Sequence, residues 1–237
     1  MKTKFAISIC TVLLLASCGS QKTETASTSS EVAQNTNEAT SSTFTAEVWA
    51  DNWFSLYING VLVGEDSVPI TTEKSFNAEK ISFAAELPFT IAMVTKDFKQ
   101  DDSGLEYIGS DRQQMGDGGF IAQFTNEQTG EVVAYTNSDW RGLVIHRAPL
   151  DKSCEKSAAP ETECQSSTAS EPEKWSEPSF SDTSWTQALE YPAEAIGVKD
   201  GFNDISWAKD ARLIWSSDLE IDNTILWRYS TPSSIQG

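Results

Sequence analysis

Apolar residues along this chain come in short runs rather than in helical stripes. Phe44-Thr-Ala-Glu-Val48 alternates apolar with polar, and Trp53-Phe-Ser-Leu-Tyr-Ile58 follows with aromatic and β-branched residues suited to a pleated surface. Asn59-Gly60 separates that run from Val61-Leu-Val63. Two residues of this kind supply the positive φ angles of a type I′ turn, so the pattern predicts a hairpin. Further strands are predicted over 81–85, 89–94, 120–124, 132–136, 143–146, 212–215 and 226–229, divided by Gly, Pro, Asn, Asp and Ser. The long amphipathic pattern that a βαβ protein needs is absent. The chain is therefore expected to be all-β, an antiparallel β-sandwich.

The folded part is expected over 44–230, one domain with a core of its own, followed by a tail at 231–237. Residues 152–174 show no sustained periodicity and read as a long surface loop. Residues 18–43 are rich in Ser, Thr, Asn, Gln and Ala and nearly lack large apolar side chains. Such a stretch cannot bury enough surface to fold and is expected to act as a tether, placing the domain roughly 25 to 30 Å from its point of attachment.

The first seventeen residues have the character of an export signal. Lys2 and Lys4 precede an apolar stretch over 5–15 that is too short for a bilayer-spanning helix. Leu15-Ala16-Ser17-Cys18 resembles the lipobox of bacterial lipoproteins, which implies cleavage before Cys18 and acylation of that cysteine, with palmitate-class chains. A single acyl chain binds a membrane only marginally, so stable residence needs a multiply acylated cysteine. Gly19 lacks the aspartate that can retain lipoproteins at an inner membrane. The expected location is the cell envelope, with the outer membrane favoured.

The net charge is -18; loss of Lys2 and Lys4 with the signal lowers 17 basic residues to 15 against 35 acids, or -20. Nucleic acid and anionic lipid surfaces are excluded as partners by repulsion. Once Cys10 has left with the signal and Cys18 is lipidated, Cys154 and Cys164 remain within a polar loop of an exported chain, and a disulfide is expected. Closing that loop would stabilise by roughly 2.5 to 3 kcal/mol.

Ala50-Asp-Asn-Trp-Phe-Ser-Leu-Tyr-Ile-Asn-Gly-Val-Leu-Val-Gly64 resembles the early hairpin of galactose-binding-like jelly-roll domains. Trp175-Ser-Glu-Pro-Ser-Phe-Ser-Asp-Thr-Ser-Trp185 with Ala188 is similar to a segment before their last strands. Ala211-Arg-Leu-Ile-Trp215 and Trp227-Arg-Tyr229 resemble the closing strands. The resemblance covers about a quarter of the domain and implies a jelly roll, with carbohydrate as the ligand class. It transfers no site residue, because ligand-contacting loops vary freely on a shared frame.

Trp185, Trp215 and Trp227 are expected to fill the space between two sheets. Trp53, Trp140 and Trp207 sit in turn-like, polar surroundings and are the candidate ring platforms for a sugar. Asp97, Asp101, Asp102 and Glu106 lie among glycines and are candidate ligands for a structural calcium, although their spacing is not that of an EF-hand. No other cofactor is expected. His146, the single histidine, has no nucleophile elbow in the chain to serve, so no catalytic residue is assigned. The leading expectation is a membrane-anchored, non-enzymatic domain binding carbohydrate. Its rivals are an envelope lipoprotein that docks onto another protein, and a hydrolase using acidic residues.

Overall fold

A computed structural model describes residues 41–72 and 77–233. The export signal, Cys18 and nearly all of the tether lie outside the described residues. The described strands are β1 (Ser42–Asp51), β2 (Trp53–Ile58), β3 (Val61–Glu65), β4 (Ala78–Ala85), β5 (Thr90–Lys96), β6 (Leu105–Glu106), β7 (Gln114–Met115), β8 (Gly119–Asn126), β9 (Val132–Tyr135), β10 (Arg141–Arg147), β11 (Ser167–Thr168), β12 (Thr186–Gln187), β13 (Leu189–Tyr191), β14 (Leu213–Trp215) and β15 (Asp222–Ser230).

They form an all-β sandwich of two antiparallel sheets. The first runs β13-β14-β8-β1-β4, with β9 also on β8; the second runs β11-β10-β15-β5-β2-β3, with β12 also on β10. A small ribbon, β6-β7, stands beside them. Every strand anticipated from the pattern is present; most are longer by one to a few residues, while β2 has the expected bounds and β9 and β14 are each one residue shorter. The Asn59-Gly60 turn has φ of 50° and 84°, and the Asn59 side chain accepts the Thr90 N–H at 2.8 Å, tying the hairpin to the neighbouring strand.

Alternation decides what faces what. On β1, Phe44, Ala46, Val48 and Ala50 point into the space between the sheets, where they meet Phe54, Leu56, Met93, Phe120, Phe124, Trp215 and Trp227. Trp49, on the opposite phase, packs outward against Ile121, Ile196, Ala211 and Leu213, because residues 193–211 fold back over the first sheet. The second sheet is covered in the same way. Ala92, Val94, Ile145 and Leu226 on its outer face are roofed by Trp175 and Trp185.

This second roof corrects one expectation. Trp215 and Trp227 do fill the inter-sheet core, but Trp185 is buried on the far face of a sheet, 6.3 Å from Trp175 and 5.6 Å from Phe180 between ring centroids. A buried arginine holds the roof down. Arg228 donates to the Trp175 and Phe180 carbonyls and pairs with Asp182 at 3.1 Å.

The loop at 152–174 is more ordered than its lack of period suggests. Two short helical turns, Lys152–Lys156 and Pro160–Glu163, are joined by the Cys154–Cys164 disulfide, whose Cα atoms stand 5.6 Å apart. Gln113 donates to the Glu155 and Ser157 carbonyls, both at 2.8 Å, and so fixes the loop against the β6-β7 ribbon.

Candidate functional site

The clearest concavity of mixed chemistry lies where the chain changes sheets. β12 pairs with β10 in the second sheet, and two residues later β13 pairs with β14 in the first. Thr186 Oγ1 donates to the Gly142 carbonyl at 3.1 Å and fixes the crossing. The corner left between the sheets is a cleft of about 540 Å³.

One wall is apolar, formed by Leu143, Val144, an edge of Trp185 and Leu189, which is 47% exposed. The rest is polar, with Ser184, Thr186, Gln187, Ser216 and Ser217 at the rim and an ion pair at the base. Arg147 Nε donates to Asp222 Oδ1 at 2.6 Å. Asp222 is 3% exposed, and its carbonyl accepts the Trp215 indole N–H at 2.9 Å, so the acid is held from the core. Arg147 remains half-exposed. Its guanidinium has donors beyond the one used on Asp222 to offer a ligand.

Among the residues lining the cleft Asp222 is the single carboxylate. Paired glycosidase carboxyls are therefore not formed there. His146 lies elsewhere, 5% exposed, with Nε2 3.7 Å from Asp102 Oδ1. Burial and the charge of Lys99 depress its pKa, with Asp102 opposing them.

The three tryptophans proposed as platforms do not come together. Trp140 is fully buried, which overturns its reading as an exposed ring. Its indole N–H donates to the Tyr135 carbonyl at 2.9 Å, and its ring stacks on Tyr229 at 5.6 Å. Trp53 is half-buried beneath Lys96, whose Nζ stands 4.8 Å from the ring centre. Trp207 is half-buried on the other sheet's roof and donates to the Phe202 carbonyl at 3.0 Å. None of the three lines the cleft.

The four acids proposed for calcium are also spread apart in environment. Asp97 is 2% exposed, and Glu106, 7% exposed, accepts from Gln114 Nε2 at 3.1 Å. Asp101 accepts the Ser103 N–H at 2.8 Å in a surface turn, and Asp102 pairs with Lys99 at 2.7 Å. Among the described residues no group of three His, Cys, Asp or Glu is placed to hold a metal ion by itself.

Arg147, Leu189 and Asp222 were not singled out from sequence. Arg147 and Asp222 are 75 residues apart, and no motif joins them. The fold and cleft define a β-sandwich domain with a mixed apolar and polar recess at a sheet crossing. Comparison with protein-family models, curated proteins and solved structures gives no match for this chain.

Proposed function

We propose that this chain is a lipid-anchored binding domain of the bacterial cell envelope, of galactose-binding-like jelly-roll type, whose ligand is a carbohydrate. The observation that carries the ligand class is the cleft at the sheet crossing. A sugar has an apolar C–H face and a rim of hydroxyls, and the recess opposes Leu143 and Leu189 to Arg147, Asp222 and a set of hydroxyl side chains. Asp222 is already committed to Arg147, which supports binding rather than hydrolysis.

Affinity electrophoresis of the full chain through gels containing neutral and uronate polysaccharides tests the ligand. At least one gel is expected to retard the protein, and Arg147→Ala, compared at a temperature where it remains folded because it also strands the buried Asp222 carboxylate, is expected to weaken that binding about tenfold, the loss of one charge-assisted contact. No retardation in any gel, with or without calcium, would remove the carbohydrate reading. The anchor has its own test. Cys18→Ala should move the chain from the membrane to the soluble fraction, and a variant still in the membrane pellet would refute lipidation as the means of attachment.

A further inference from the structure

The cleft at the sheet crossing has a floor that the sheet leaves partly uncovered. Along the outer edge of β10, β12 pairs with Arg141 and Gly142 and β11 pairs with His146 and Arg147, so among the described residues no strand lies against 143–145. The Trp140 and Gly142 carbonyls face that edge, accepting the Ala188 N–H at 2.8 Å and the Thr186 hydroxyl at 3.1 Å. Val144 is the next residue in phase, so its peptide groups turn to the same side, into the opening between the two short strands. They are uncharged donors and acceptors that need partners once water is displaced.

The charges around this floor cancel. Arg147 and Asp222 are the two charged side chains in the lining, and they are paired with each other at 2.6 Å. Coulomb energy falls inversely with distance. For an anion about 4 Å from the guanidinium, the Asp222 charge roughly 3 Å behind it therefore returns about half of the attraction.

The surroundings tilt the balance further. Ser217 is shared with a neighbouring recess that carries Asp117, Asp218 and Glu220 against Lys152, which is itself paired with Glu220. Arg141 Nη1 is turned to the Trp185 carbonyl at 3.1 Å, and Arg141 does not line the cleft. The chain as a whole carries a net charge of -18. An anion approaching the cleft thus meets repulsion at range and a half-cancelled attraction at contact. What the cleft offers in full is hydrogen bonding, from the Arg147 N–H groups beyond Nε, the Val144 peptide, the Gln187 amide and the serine hydroxyls.

We propose that the cleft takes uncharged glycans, built of neutral hexose or pentose units, and discriminates against uronate and sulfated ones. Arg147 serves as a hydrogen-bond donor to hydroxyls, and Asp222 is the specificity determinant that keeps it from selecting acids. This rests on the carbohydrate reading of the same cleft.

Equilibrium binding of the full chain to immobilised polysaccharides tests the two ideas separately. The panel is β-glucan, xylan, galactomannan and galactan, with alginate, polygalacturonate and a form of each neutral polymer carboxylated at part of its hydroxyls. A neutral polymer is expected to bind at least about tenfold more tightly than its carboxylated form, with affinity unchanged between about 0.05 and 0.5 M salt. Residual binding of the carboxylated form is expected to strengthen as salt screens the repulsion. Asp222→Asn keeps the side-chain shape and leaves Arg147 uncompensated. It is expected to reduce the preference to about twofold or less and to make binding of the carboxylated form weaken with salt. Should Asp222→Asn fail to fold, the salt dependence of the unaltered chain decides. A uronate or carboxylated polymer bound as tightly as the best neutral one, or bound more weakly as salt rises, would overturn this inference and leave the carbohydrate reading standing. An unchanged preference in folded Asp222→Asn would overturn it equally. Absence of binding to every polymer would remove both.

Discussion

Replacing Arg228 by alanine is expected to cost about 3 kcal/mol, the low end of the loss when one member of a buried charge pair is removed, because its partner Asp182 is partly exposed. Its side chain is 2% exposed. It satisfies the Trp175 and Phe180 carbonyls and Asp182, and its guanidinium lies 5.3 Å from the centre of the Phe180 ring. Removing it strands an acid and two carbonyls and frees the roof that keeps Trp175 and Trp185 dry. The loss is a large part of the about 5 to 15 kcal/mol that holds a domain together. Urea denaturation should show it directly, and the fluorescence of the native state should shift to the red as the two indoles meet water. Arg228→Lys is expected to recover little, because one ammonium cannot reproduce the planar fork that reaches three acceptors. A loss below about 1 kcal/mol in the alanine variant would show that the roof is held by its apolar contacts alone.

The sandwich was legible because its information is local. Alternation over 44–48, the Asn59-Gly60 turn and the punctuated runs each specify a strand or a turn without reference to the rest of the chain. What those signals do not carry is the partner of each face. Trp185 was expected between the sheets, and nothing local to Trp49 tells which face it joins, yet each faces outward beneath a covering segment. Both are buried because residues 175–185 and 193–211 fold back over the sheets, and that is a tertiary event. Trp140 misled for a related reason. It follows Asn137-Ser138-Asp139, a polar turn, but the ring turns inward against Phe120 and Tyr229 while its indole N–H is satisfied by a carbonyl five residues back.

The cleft was hidden by sequence separation, since it joins residues near 143, 185 and 222 that no motif links.

Stability is expected to fall as pH rises from about 4 to 8, the reverse of a protein held together by surface carboxylate pairs. Asp66 is 5% exposed, and burial, with Glu79 adding to it, pushes its carboxyl from 3.8 up to about 6. A carboxyl whose folded pKa is raised contributes fully below the unfolded value, and the contribution is lost as pH climbs through the folded one. For Asp66 that window runs from 3.8 to about 6 and corresponds to about 3 kcal/mol at most. Asp51 and Asp97 are shifted in the same direction, first by burial and then by their acidic neighbours, and extend the loss to higher pH. His146 works the other way, since its depressed pKa makes protonation below 6.5 unfavourable to the fold. It is one group against four, because burial raises the Asp117 carboxyl as well. Urea midpoints in metal-free buffer should therefore be higher at pH 5 than at pH 8, and Asp66→Asn should flatten the curve between pH 4 and 6. Equal or greater stability at pH 8 would show that these buried acids are ionised in the fold without penalty.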